Sequence, residues 1–149
     1  MSKYLYHGSL SKINNYLTPR PSNILDGEKA VFATNKIYLA VFFICKFNES
    51  QIDLGFINDK PVIIEQYPGA FDECLNVSGF LYYVSSKGFH SDPRLGMKKH
   101  EFINDNKVKI LKTEFVDNVY QYLLNSEMNV VTYDDKIEAI DLFLDSRIN

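Results

Sequence analysis

The longest apolar run in this chain, Ile37 to Cys45, is nine residues. A membrane-spanning helix needs ~20, so the sequence reads as a soluble chain with no membrane partner. Its elements are short and must find their stability in pairing with one another. Short aromatic or β-branched runs bounded by turn residues recur along it. Tyr4-Leu5-Tyr6 ends in His7-Gly8-Ser9, Ala30 to Thr34 follows Asp26-Gly27, and Phe80 to Val84 lies between Ser78-Gly79 and Ser85-Ser86. Each reads as a strand.

Further strands are expected at Pro61 to Glu65, His100 to Ile103 and Lys107 to Lys112, with a last one from Met128 to Tyr133. The turn Asn104-Asp105-Asn106 separates two of them. Leu10 to Tyr16 is expected to form a helical turn. Thr34-Asn35 are good caps for a buried helix over Lys36 to Phe47, apolar nearly all round. Asn48 to Asp59 reads as a polar connection and Lys87 to Lys99, with Gly88, Pro93 and Gly96, as an exposed loop. Val116, Val119, Tyr120, Leu123 and Leu124 form a helical stripe. Ile137, Ile140, Phe143 and Leu144 indicate a closing helix capped near Thr132 or Asp134.

No repeat or linker interrupts the 149 residues, and no steady β-α-β alternation appears. A single α+β domain over 1–149 is expected. The 46% hydrophobic content supplies an ordinary core. With 16 Lys+Arg against 19 Asp+Glu the formal charge is −3, which argues against a protein that works by neutralising phosphates. Cys45 and Cys74 are too few for a disulfide scaffold, and the N-terminus turns polar within a few residues. A cytoplasmic location with reduced, buried thiols is expected.

Several chemistries find no support. His7, His90 and His100 lie far apart and neither cysteine belongs to a CxxC pair, so no metal site is expected. Cysteines in apolar runs have raised pKa values and make poor nucleophiles. Neither a phosphate-binding P-loop nor a GxGxxG turn is present. His7-Gly8-Ser9 at a strand end remains, with Glu101 in a later strand. The glycine lets a ligand reach the backbone, the imidazole offers a hydrogen bond and the carboxylate a negative charge. The plain alternative is that His7 closes a turn, Gly8 supplies a positive φ and Glu101 faces solvent.

The order of these segments resembles the ADP-ribosyltransferase superfamily of the diphtheria-toxin and poly-ADP-ribose-polymerase type. Leu5-Tyr6-His7-Gly8-Ser9 is similar to its opening His-Gly-Ser/Thr strand. Val31-Phe32-Ala33-Thr34, followed by Leu39-Ala40-Val41-Phe42, is similar to its second motif, a Tyr-Phe-Ala-Asp-like strand leading into a helix. His100-Glu101-Phe102-Ile103-Asn104-Asp105 before Val108-Lys109-Ile110-Leu111 looks like its glutamate strand and the strand after it. The N-terminal third, with Leu17-Thr18-Pro19, also resembles rifamycin-modifying members. The likeness covers residues 4–115 and leaves 116–149 as a C-terminal helix and strand extension.

The resemblance implies a split antiparallel or mixed sheet with flanking helices, and transfer of ADP-ribose from NAD, as substrate, to an acceptor with release of nicotinamide. That acceptor is a protein, a nucleic acid or a small molecule. His7 would bind the adenosine-side ribose, and Gly8 and Ser9 the nicotinamide carboxamide. Phe42 would stack on the nicotinamide ring and Arg20 would contact the pyrophosphate. Glu101 would hold the 2′-hydroxyl of the nicotinamide ribose and stabilise positive charge as the glycosidic bond breaks. Unit charges ~4 Å apart at an effective dielectric near 20 attract by about 4 kcal/mol, and the part that grows in the transition state is catalysis.

The family's central tyrosine aligns with Val31, or with Phe32 if the register slips by one; Phe32 could stack but offers no hydroxyl. A module that binds NAD, ADP-ribose or a protein through the same cleft without turnover is therefore the competing reading, and an interaction protein that keeps the fold without a ligand is a third. Tyr82 and Tyr83 point to opposite faces of their strand, and His90 and Arg94 sit in the loop before Glu101.

Overall fold

The computed structural model describes residues 2–97 and 99–138. The elements among the described residues run β1 (Tyr4–Ser9), β2 (Tyr16–Leu17), β3 (Arg20–Pro21), β4 (Lys29–Thr34), α1 (Ile37–Phe42), β5 (Ile52–Ile57), β6 (Lys60–Glu65), α2 (Ala70–Leu75), β7 (Gly79–Ser85), β8 (Glu101–Asn104), β9 (Val108–Val116), α3 (Val119–Leu124) and β10 (Asn129–Val131). A 3-10 turn spans Asn23–Leu25, and residues 133–138 are helical. The α+β class expected from the sequence is the architecture seen, and no described helix is long and apolar enough to cross a membrane.

The larger sheet has the order β2-β9-β7-β1-β4-β3, with β8 also pairing β4, and every pair in it is antiparallel. A second sheet, β10-β6-β5, contains the parallel pair β10–β6. One core joins the two sheets. Leu39, Val41 and Phe42 of α1 pack there with Ile52 and Ile63 of the small sheet, Leu81 of β7 and Leu123 of α3. The other face of β1 and β7 has its own cluster of Leu5, Tyr82 and Val84 against Leu17, Phe89 and Val108. Alternation along β7 sends neighbouring residues to these two cores.

Several expectations are corrected. Leu10 to Tyr16 is not helical: residues 10–15 are irregular, with Asn15 left-handed at φ 68°, and Tyr16 opens β2. The Tyr82 hydroxyl holds this segment, accepting from the Ile13 amide at 2.6 Å and donating to the Ser11 carbonyl at 3.0 Å. The helix expected to Phe47 stops after six residues, and its N-cap is Lys36, whose amide donates to Thr34 Oγ1. Asn48 to Asp59 contains β5, which turns into β6 through Asn58 and Asp59, both left-handed, as a two-residue hairpin requires. α2 was not expected. β8 and β9, adjacent in sequence, pair with β4 and β7 respectively and not with each other. Of the closing helix, Ile140, Phe143 and Leu144 lie outside the described residues.

Tyr82 is fully buried, so replacing it with phenylalanine leaves the Ile13 amide and the Ser11 carbonyl without this partner. Tyr82→Phe is expected to cost about 2 kcal/mol, read as a lower urea midpoint at unchanged m-value. A midpoint equal to wild type would show that the hydroxyl does not hold the β1–β2 connection.

Candidate functional site

β1 and β4 are each six residues long, yet they pair only at Tyr6 and Thr34. Beyond that point the strands part, and the His7 side chain bridges the gap: Nδ1 lies 2.7 Å from the Phe32 carbonyl oxygen. A carbonyl only accepts, so Nδ1 carries the proton and Nε2 of the neutral ring is an acceptor. Burial pushes the His7 pKa below its ordinary 6.5. The bond to Phe32 opposes this shift, and the nearby positive charge of Arg20 adds to it. The imidazole is therefore neutral at pH 7.

The parted strands leave a cavity of about 230 Å³. Tyr6, His7 and Gly8 line it from β1, Phe32, Ala33 and Thr34 from β4, Ala40 and Phe43 from the α1 side, and Glu101 from β8. Glu101 arrives there because β8 pairs with β4 so that it stands opposite Thr34. The preceding residue fixes the strand: His100 is buried, with Nδ1 3.2 Å from Asn35 Oδ1, Nε2 3.2 Å from Asp59 Oδ1, and its ring stacked on Phe56. Burial raises the Glu101 pKa, and a backbone hydrogen bond from Met97 partly offsets it. Burial thus disfavours the charged form of both groups, the imidazolium of His7 and the carboxylate of Glu101.

A second cavity, of about 340 Å³, adjoins the first and shares His7 and Phe32 with it. Ser9, Arg20 and Val31 line this one. Ser9 Oγ accepts a hydrogen bond from the Ser11 amide, and its proton stays available to a ligand. Arg20 stands on the short strand β3, opposite Ala30 of β4. Each cavity is near or below the lower end of the usual ligand range of roughly 300–1,000 Å³.

The structure thus brings together His7, Gly8, Phe32 and Glu101 around one cavity and adds Ser9 and Arg20 through its neighbour. Phe42 is the exception. It is fully buried in the core, and Phe43 lines the cavity in its place, because adjacent helical residues point about 100° apart. Tyr6, Thr34 and Ala40 also line the cavity and were not anticipated; the one available signal was their closeness to His7 and to the caps of α1.

The plain alternative for the His-Gly-Ser segment does not hold. His7 lies within a strand, Gly8 has no positive φ, and Glu101 is half-buried. Gly8 is required because a β-carbon there would lie 1.9 Å from the Ala40 carbonyl oxygen. Arg94 forms ion pairs with Asp26, Glu28 and Asp92 at 2.9–3.5 Å, which ties the loop before β8 to the turn before β4. Cys45 and Cys74 are buried and unpaired, and burial pushes the Cys45 thiol up to about 12. Among the described residues no cluster suited to a metal ion occurs. Comparison of the chain with protein-family models, with curated proteins and with solved structures returned no match.

Proposed function

We propose that this chain is an ADP-ribosyltransferase-like protein with a split-sheet core, taking NAD as substrate across the two adjoining cavities and transferring its ADP-ribosyl group to an acceptor with release of nicotinamide. The observation that carries this reading is the convergence of His7 and Glu101, 94 positions apart in sequence, on one cavity. In it the nicotinamide end occupies the space between Gly8, Phe32 and Phe43, with an aromatic ring available for stacking. The adenosine end and pyrophosphate lie in the second cavity, where Arg20 supplies a guanidinium matched to phosphate oxygens. His7, shared by the two, offers Nε2 as acceptor to a ribose hydroxyl. Glu101, once ionised, accepts from the other ribose and attracts the positive charge that grows as the glycosidic bond breaks.

Phe32 carries no hydroxyl, and this favours a second reading: a module that holds NAD or ADP-ribose without turnover. The two are separated by one pair of measurements. NAD is expected to raise the melting temperature in a concentration-dependent way, to release nicotinamide on incubation, and to lose the stabilisation in His7→Ala. Stabilisation without nicotinamide leaves the binding module. No stabilisation at NAD concentrations of several millimolar, on the order of a thousandfold above a micromolar dissociation constant, removes both readings.

A further inference from the structure

The nine residues of β9 pair with β7 along one edge, while the two residues of β2 cover only Val108 and Lys109 on the other. The Ile110 amide still donates to the Asn15 carbonyl, and beyond it no described strand pairs with that edge. Such an edge offers its N–H and C=O groups to another chain. Leu111, 51% exposed, and Phe115, 59% exposed, flank the exposed Lys112 and Thr113 and the half-buried Glu114. From Lys112 to Val116 the register against β7 is regular, so Lys112 and Glu114 share one face and Thr113 between them takes the other. Tyr83 meets both charged side chains on that face. The Lys112 ammonium lies 4.8 Å from its ring centre, and its hydroxyl donates to Glu114 Oε2 at 3.3 Å. Neither Lys112 nor Glu114 forms an ion pair among the described residues.

We propose that this edge takes a second copy of the chain, whose β9 runs antiparallel to the first about a two-fold axis at Thr113. The two large sheets then become one. Residues opposed across a sheet share a face, so a two-fold axis perpendicular to it must pass beside a residue that pairs with itself. An axis at Lys112 would oppose two ammonium groups, and one at Glu114 two carboxylates. An axis at Thr113 sets Lys112 of each copy opposite Glu114 of the other, Thr113 opposite Thr113, and Leu111 opposite Phe115. Opposite charges and paired threonines are favourable cross-strand neighbours, and like charges are not. Lys109 and Asp117, the next charged residues outward, are again of opposite sign. The shared ladder runs from Leu111 to Phe115 and stops where β2 takes over the edge. It brings together the two exposed apolar side chains of each copy. So short a ladder falls below the roughly 1,200 Å² of a standard interface, which makes the dimer a reversible one. It does not depend on the NAD reading.

Sedimentation equilibrium of the full chain, from roughly 1 µM to 1 mM, is expected to show monomer and dimer in exchange. Lys112→Glu and Glu114→Lys each set like charges opposite one another at both pairs, and each is expected to weaken the dimer at least about tenfold. An equimolar mixture of these two variants restores opposite charges at both pairs. Its mixed dimer is expected within about threefold of the wild-type affinity. A second readout leaves the charges alone. Thr113→Cys is expected to oxidise to a disulfide-linked dimer, because self-paired residues lie roughly 4.5–5.5 Å apart at Cα. Glu49→Cys, exposed on the connection before β5, is the control for chance collision. Melting temperatures equal to wild type verify folding, and the cross-link decides the matter if a charge-reversed variant melts low. The proposal is overturned by a wild type that stays monomeric throughout, or by a dimer equally tight in both reversals. A mixture no tighter than either variant alone, or cross-linking of Thr113→Cys no faster than of Glu49→Cys, overturns it as well.

Discussion

Gly8→Ala is expected to destabilise the fold by about 3 kcal/mol or more, at the upper end of what overpacking costs. The added β-carbon would stand 1.9 Å from the Ala40 carbonyl oxygen, and 2.9 Å from both the Ala40 carbonyl carbon and Ile44 Cγ1. Two of those three atoms are backbone, so relief requires α1 to move away from β1. That movement would open the core where Leu39, Val41 and Phe42 are buried. Whole-domain stabilities are only ~5–15 kcal/mol, so the variant would lose from about a fifth to more than half of the stability of the fold. Gly96→Ala is the internal control: a β-carbon there meets nothing within 4 Å, and its urea midpoint is expected to match wild type. A Gly8→Ala midpoint within about 1 kcal/mol of wild type would refute the close approach of α1 to β1, and with it the back wall of the cavity. Loss of NAD binding in Gly8→Ala is accordingly no test of a carboxamide contact, because packing already demands the glycine.

How much of this was legible in the sequence depends on whether the signal was local. β1, β4, β7 and β8 announce themselves as aromatic or β-branched runs between turn residues, and they carry His7, Phe32 and Glu101 to their places. β5 was missed because Asp53 and Gly55 interrupt its apolar pattern, so that Asn58-Asp59 read as loop rather than as a hairpin turn. α2 follows Tyr67-Pro68-Gly69 directly, and that break hid its short apolar run. The length of α1 escaped because a segment apolar on all sides has no period to mark where it stops. Phe42 was expected at the cavity through the resemblance, and the same lack of phase left nothing to point to Phe43 instead. Partner choice was the least local property of all. Asn104-Asp105-Asn106 marks a turn between two strands but not their partners: β8 joins β4 and β9 joins β7, and the parting of β1 from β4 that makes the cavity leaves no mark on either strand's composition. The convergence of His7 and Glu101 was approached through the resemblance, since no spacing rule links residues so far apart.

Glu101→Gln is expected to lower NAD-dependent nicotinamide release at least about a hundredfold while NAD still raises the melting temperature. The amide keeps the shape and hydrogen-bonding capacity of the side chain but not its charge, and an attraction of about 4 kcal/mol at ~4 Å and an effective dielectric near 20 bounds what the charge supplies. The pH profile identifies the group. Glu101 works as the carboxylate, and burial raises its pKa above the ordinary 4.5, so in wild type kcat/KM is expected to climb with pH through that raised value. His7 is lowered from 6.5 by burial, so its deprotonation falls below the ordinary imidazole range and adds no limb above it. In Glu101→Gln the residual rate lacks the carboxylate limb. Stability moves the opposite way to activity. A pKa raised by folding means that the native state holds the proton more tightly, so the contribution of Glu101 is fully present below 4.5 and is lost as pH rises through the folded value. Glutamine, which never ionises, escapes that loss, and the variant is expected to be at least as stable as wild type at pH 7. Full nicotinamide release by a folded Glu101→Gln would remove the carboxylate from the chemistry. A variant that melts lower than wild type at pH 7 would contradict the burial that shifts Glu101.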